Sequence, residues 1–258
     1  METLIKQHLV EIEKEHDVKI LYACESGSRA WGFPSADSDY DVRFIYAHRR
    51  DWYLSIRVER KRDVIELPIN DSLDISGWDI RKTLNLFAKT NPPLYEWLDS
   101  PIVYAEDYPT AGALRALIPE FYNPIACSYH YHHMADGNYR SYMQGEEVWI
   151  KKYFYILRPL LAIRWIEAGR GVAPTPFGEL VAQAELAPAL ERAIGALIAA
   201  KKEGAELDRG PRIPVISDFI DAEMARLAEK RFELELVAPK QTIEPLDALF
   251  RETLEVAW

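Results

Sequence analysis

Two aspartates two residues apart, Asp39 and Asp41, stand at the head of a strand-forming run, Tyr40 to Ala47. Strand side chains alternate with period 2, so this spacing puts both carboxylates on one face and Tyr40 and Val42 on the other. Unit charges about 4 Å apart repel by roughly 4 kcal/mol at an effective dielectric near 20, so the pair calls for a cation between them or a proton on one. Hard carboxylate oxygens suit Mg²⁺ or Mn²⁺. About a dozen residues earlier, Gly27-Ser28 falls where a strand gives way to a helix. That junction offers backbone N–H groups and a hydroxyl, and glycine permits close approach, so it is a candidate phosphate cradle. An acid pair that collects metal beside a turn that collects phosphate implies a nucleoside triphosphate chelated by Mg²⁺ and in-line attack at phosphorus under a two-metal scheme. Each piece alone has a plain structural reading, a Gly-Ser turn or a solvated strand face; the conjunction carries the signal.

The elements that must hold these residues are legible around them. Leu4, Ile5, Leu9 and Ile12 recur at near-helical spacing in an opening amphipathic helix. Val18 to Ala23 is a β-branched and aromatic run that ends in the polar turn Glu25-Ser26-Gly27-Ser28. The loop 32–38 is rich in Gly, Pro, Ser and Asp. Val64 to Ile69 and Leu73 to Ile75 form the arms of a hairpin about Asn70-Asp71. After Gly77-Trp78-Asp79 the period becomes 3.6, with Ile80, Leu84 and Phe87 in line and a stop before Asn91-Pro92-Pro93. Asp79 fits the start of that helix, where a negative charge offsets the macrodipole. From about residue 119 the pattern is almost wholly helical: Trp149, Tyr153, Ile156, Leu160 and Ile163 share a face, then Leu180 to Lys202, Val215 to Arg231 and Thr242 to the end repeat it. Linkers at 169–176 and 208–211 separate these segments. The expected fold class is α+β, a mixed-sheet domain over 1–118 followed by an all-α helical domain over 119–258.

The 258 residues carry 41 acidic and 31 basic side chains, a formal charge of -10, which excludes a histone-like or polybasic membrane protein. Cys24 and Cys127 are far apart and outside any CxxC spacing, so neither a disulfide framework nor a zinc site is indicated. The start has no apolar leader core, and no run reaches the roughly 18 apolar residues of a membrane span, so the expectation is a cytoplasmic protein without a membrane partner.

In the segments GSRAWGFPSADSDYDVRFIY, LDISGWDIRKTLNLFAKTNPPLYEWLDSPIVY and KKYFYILRPLLAIRW the sequence resembles the DNA polymerase beta-type nucleotidyltransferase superfamily, and within it the RNA-repair-associated branch. The likeness runs, with gaps, from about residue 18 to about residue 180. It implies a polymerase-beta-like catalytic domain followed by a helical substrate-binding domain. It further implies transfer of a nucleoside monophosphate from an NTP to a hydroxyl acceptor with release of pyrophosphate. An RNA end is the acceptor that the branch suggests, ahead of a protein side chain or a small molecule. On this resemblance Asp39 and Asp41 bind both metals, Gly27 and Ser28 hold the β- and γ-phosphates, Arg29 either assists them or forms a salt bridge, and a third carboxylate completes the metal site. Asp74, between Leu73 and Ile75, matches the family's later catalytic strand; Glu66, between Ile65 and Leu67, is the competitor and requires its strand to lie beside Asp41.

Lys151, Tyr155 and Arg158 fall at i, i+4 and i+7 with Lys152 alongside, a basic stripe able to neutralise a triphosphate or pyrophosphate, or an ordinary solvated face. His130, His132, His133 and Asp136 share a short stretch, but no further ligand closes a zinc set, so surface histidines are expected. The basic segment His48 to Arg62 suits either a charged hairpin tip or an RNA phosphate backbone. Asn91 to Leu98 is read as a loop with aromatic packing residues. The rival functions are a catalytically silent nucleotide-binding subunit of an RNA-repair complex and a metal-dependent phosphohydrolase.

Overall fold

A computed structural model describes residues 1–36, 38–69, 72–204, 207–228 and 242–258. The chain opens with α1 (Glu2–His16), β1 (Val18–Glu25), the single turn α2 (Gly27–Ala30), β2 (Tyr40–His48), α3 (Arg50–Tyr53), β3 (Val64–Glu66) and β4 (Leu73–Asp79). It continues through α4 (Ile80–Ala88), α5 (Pro92–Leu98), β5 (Val103–Ala105), α6 (Thr110–Phe121), α7 (Pro124–Tyr142) and β6 (Glu147–Trp149). Then follow α8 (Lys152–Glu167), α9 (Phe177–Gln183), α10 (Pro188–Lys202), β7 (Arg209–Pro211), α11 (Pro214–Ala228) and α12 (Glu244–Ala257). The expected turn pair Asn70-Asp71 and the end of the run to Arg231 lie outside the described residues.

Two compact units result. The first holds Met1–Ala30, Asp39–Tyr122 and α12. Its sheet has the order β3-β4-β2-β1-β5, with β2 and β4 parallel and the other pairs antiparallel. One face is closed by α1, whose Ile5, Leu9 and Ile12 pack with Val18, Ile20, Val42, Phe44 and Ile75. Burying each such side chain is worth about 2 kcal/mol. Because Val42, Phe44 and Tyr46 take that face, Asp41 and Arg43 are left to the other. Gly77 stands opposite Phe44 in the β2–β4 ladder, and a Cβ there would overlap the Phe44 ring.

Helix α4 starts where expected: Asp79 is its N-cap and accepts from Arg81 N–H at 2.8 Å. The stretch read as an aromatic loop is instead α5, because Asn91 caps it and proline is well suited to the first helical positions. Its Tyr95 stacks on Phe87 at 5.2 Å and its Trp97 meets Trp78 at 3.9 Å. The C-terminal helix differs from the expected division after residue 118. Helix α12 belongs with the sheet, where Phe250 meets Tyr53 edge-on at 5.0 Å, Thr253 shares a hydrogen bond with Thr110, and Trp258 Nε1 donates to His48 O at 3.0 Å.

The second unit holds Trp31–Ser38 and the chain from Asn123 through α11. It is helical apart from the short antiparallel pair β6–β7, which takes Trp149 out of the helix that its spacing suggested. The expected helix from Leu180 to Lys202 is two, since Pro188 begins α10 and Glu185 has φ 50°. Phe33 stacks on Phe154 at 4.4 Å and meets Phe177 at 5.6 Å, which anchors the loop after α2. The buried Glu223 binds Arg164 at 3.1 Å and Arg226 at 2.7 Å, tying α8 to α11. No described helix is long and apolar enough to cross a membrane.

Candidate active site

The site is built at the point where β1 ends beside the start of β2. Ser26 N–H donates to Asp41 O at 2.8 Å, so the turn is stitched to the strand that carries the acids. Gly27 then adopts φ +59°, and a Cβ on it would come within 2.8 Å of Asp41 Cγ and nearer still to Oδ2. Glycine is required there twice, by its left-handed backbone and by the carboxylate against its face. The turn and the acid are thus in direct contact.

Asp39 lies just before β2 and is exposed, and Asp41 follows on the strand itself. Asp74 stands opposite Asp41 in the parallel β2–β4 ladder. Glu66 does not meet the condition set for it, because β3 pairs with β4 and not with β2, and its carboxylate binds Arg62 at 2.9 Å. Of the two candidates, the structure brings Asp74 to Asp41.

Between these two aspartates stands Arg43, two residues beyond Asp41 on the same face. Its Nη2 donates to Asp41 Oδ1 at 3.1 Å and to Asp74 Oδ2 at 2.7 Å, while Nη1 donates to the backbone oxygens of Val42 and Asp74, each at 3.1 Å. Continuing the alternation Asp39, Asp41, Arg43 is the sequence signal that would have found it. The buried Glu25 is a second residue that spacing did not single out. Its Oε1 accepts Asp41 N–H at 2.7 Å, and its Oε2 accepts the Tyr104 hydroxyl. Burial raises its pKa, against the lowering effect of those two donors.

Burial is also the chief cause that raises the pKa of Asp41; Arg43 pulls it down, and Asp74 and Asp39 push it up. The ionised form of Asp41 is thus disfavoured mainly by its loss of water. Arg29 donates from Nε to Asp39 O at 3.2 Å and lays its guanidinium 3.6 Å from the centre of the Tyr40 ring, so it braces the entrance to β2. Hard oxygens on one strand face fit a divalent cation in their chemistry. Yet among the described residues no three Asp, Glu, His or Cys side chains are grouped to hold one. Of the three expected ligands, Asp74 and one oxygen of Asp41 are engaged by Arg43. Asp39 makes no ion pair among the described residues.

The other candidates are placed differently. In the second unit Lys151 is exposed at the start of α8, and the Lys152 ammonium sits 4.5 Å from the ring centres of both Tyr142 and Tyr155. Arg158 does not continue an exposed stripe: it is 1% exposed, points to the carbonyls of Pro174 and Thr175, and lies 5.2 Å from the Trp31 ring centre. A helix with buried residues nearly all round leaves its seventh position enclosed whatever its charge. His130, His132, His133 and Asp136 lie on α7 and are not part of any metal-ligating group of described residues. In the basic segment, Arg49 binds Asp17 at 3.1 Å, Lys61 donates to Trp52 O at 2.7 Å, and Arg50, Arg57 and Arg60 are exposed.

A mixed sheet that sets a Gly-Ser turn against a strand carboxylate is the arrangement that the resemblance to polymerase beta-type nucleotidyltransferases implies. The chain belongs to the RNA repair pathway DNA polymerase beta family, whose model matches residues 1–252. It is 51% identical over 258 residues to the uncharacterized protein YcgL of Bacillus subtilis (strain 168), with 100% of this chain and 98% of that protein aligned. A crystal structure of a nucleotidyltransferase-like protein from Exiguobacterium sibiricum 255-15 aligns with 98% of this chain and 89% of its own, at 11% identity and a TM-score of 0.33.

Proposed function

We propose that the chain moves a nucleoside monophosphate from an NTP to a hydroxyl, with an RNA end as acceptor, and releases pyrophosphate. The observation that carries this reading is the contact of Gly27 with Asp41, which brings the Gly-Ser turn against a carboxylate of β2. Backbone N–H groups of Gly27 and Ser28 and the Ser28 hydroxyl bind the β- and γ-phosphates. Gly27 lets that cradle approach Asp41 without a side chain between them. Arg29 holds Asp39 at the entrance through its carbonyl, and Glu25 fixes the Asp41 backbone from within the core. Mg²⁺ or Mn²⁺ on Asp39 and Asp41 would supply the charge that offsets the triphosphate and lowers the pKa of the attacking hydroxyl. That hydroxyl forms the new bond to the α-phosphorus as the bond to the β-phosphate oxygen breaks. The acceptor RNA comes from the family's place in RNA repair.

The test is incubation with each α-labelled NTP, Mg²⁺ or Mn²⁺, and RNA bearing free hydroxyl ends. Label is expected to enter RNA and to be lost in Asp41→Asn. Free nucleoside products without labelled acceptor would replace transfer by phosphohydrolysis. The Arg43 bridge favours one further reading, a nucleotide-binding subunit without catalysis; NTP binding with no turnover toward any acceptor would select it.

A further inference from the structure

Arg43 is fixed more firmly than a side chain held only by its ion pairs. Two of its four hydrogen bonds go to main-chain oxygens on β2 and β4, so the guanidinium stays between the strands whichever way the carboxylates turn. Its side chain is 18% exposed, and those of Asp41 and Asp74 are 28% and 30% exposed, so the charges face one another with limited access of water. Five planar donors allow one guanidinium to serve two carboxylates and two carbonyls at once, which the three donors of an ammonium serve less well. The place between Asp41 and Asp74 is therefore already held by a permanent positive charge. Three carboxylates and Arg43 together leave two negative charges, the complement of a single divalent ion. Asp39, two residues before Asp41, makes no ion pair among the described residues, and the remaining oxygen of Asp41 faces Gly27.

We infer that Arg43 takes the place of a second metal, so that the site binds one divalent cation, on Asp39 and Asp41, with Asp74 acting through Arg43 as a positioning residue. This rests on the metal-chelated NTP of the proposed function and departs from the two-metal scheme expected from the sequence. The experiment counts Mn²⁺ bound per full-length chain, by electron paramagnetic resonance during titration, with saturating α,β-methylene ATP. The wild-type chain is expected to bind one ion, and Arg43→Lys, which keeps the charge, to bind one. Arg43→Met, shown to be folded by circular dichroism, is expected to bind two. Asp74→Asn is expected to leave the Mn²⁺ affinity of the wild-type site within about twofold, whereas Asp39→Asn should weaken it by at least about tenfold. Two ions in the wild type, or one ion in folded Arg43→Met, would overturn the inference; neither result touches transfer itself, which the labelled NTP assay reads separately. No ion in the wild type would overturn the inference and remove the metal from the transferase reading as well. One ion bound by a chain that transfers no label would uphold the count and defeat the transferase reading.

Discussion

Gly27→Ala tests the contact on which the functional reading stands. The new methyl group meets two penalties of different origin. An L-residue at φ +59° pays about 1–2 kcal/mol for its backbone. The Cβ also falls on the Asp41 carboxylate, which must turn away and loosen its 3.1 Å ion pair with Arg43, adding about 1 kcal/mol. The control is Gly169→Ala, since Gly169 has φ +71° but nothing within 4 Å of a Cβ. Urea denaturation should therefore show a loss of about 2–3 kcal/mol for Gly27→Ala and about 1–2 kcal/mol for Gly169→Ala. Transfer of label from NTP should separate the two far more strongly. A carboxylate displaced by about 1 Å costs about 100-fold in rate, while Gly169→Ala should transfer at the wild-type rate. A Gly27→Ala chain that is destabilised like the control and transfers label at full rate would refute the claim that turn and carboxylate form one site.

Other consequences concern the groups around that contact. Asp41→Asn should lower transfer by at least about 100-fold while leaving the fold intact, measured by single-turnover labelling and circular dichroism. Glu25→Ala leaves Asp41 N–H and the Tyr104 hydroxyl without their acceptor and should cost about 2–4 kcal/mol in urea, with Glu25→Gln recovering part of it. Burial lifts Asp79 to about 6, so between about pH 4 and 6 the native state keeps a proton that the unfolded chain has lost, and stability falls as pH rises through that window by up to about 3 kcal/mol. Burial and Lys61 push His48 down to about 4, so the unfolded chain binds the extra proton between about pH 4 and 6.5 and stability rises with pH there. The two slopes oppose each other: Asp79→Asn should leave stability climbing from pH 4.5 to 6.5, and His48→Gln should leave it falling, as read from urea midpoints.

The features that can be read along the chain are local. Period 2 places Asp41 on the strand face opposite Val42 and Phe44, and period 3.6 defines α1 and α4. Asp79 before an apolar run marks a helix start, and the Gly-Ser turn after Val18 to Ala23 marks the end of β1. Such patterns depend on neighbours a few residues away, and the backbone enforces them almost regardless of context. Even here a local pattern has two outcomes at Asn91-Pro92-Pro93, where capping asparagine and tolerated prolines begin α5 instead of prolonging a loop.

Which strands lie side by side follows from long-range pairing. Asp74 reaches Asp41 because β4 pairs in parallel with β2, and Glu66 is kept away because β3 takes the far edge of β4. The same pairing delivers Asp74 to Arg43, and the β1–β2 junction brings Glu25 under the Asp41 peptide. Helix α12 returns to the sheet through Phe250, Thr253 and Trp258, contacts of long sequence separation that no local window contains. Arg158 is enclosed because the Trp31 and Pro174 segments fold over it, although its spacing matched an exposed stripe. Strand register and helix docking are set by which apolar faces bury together across the whole chain. A sequence can therefore name the acids on one strand, while the fold chooses their partners.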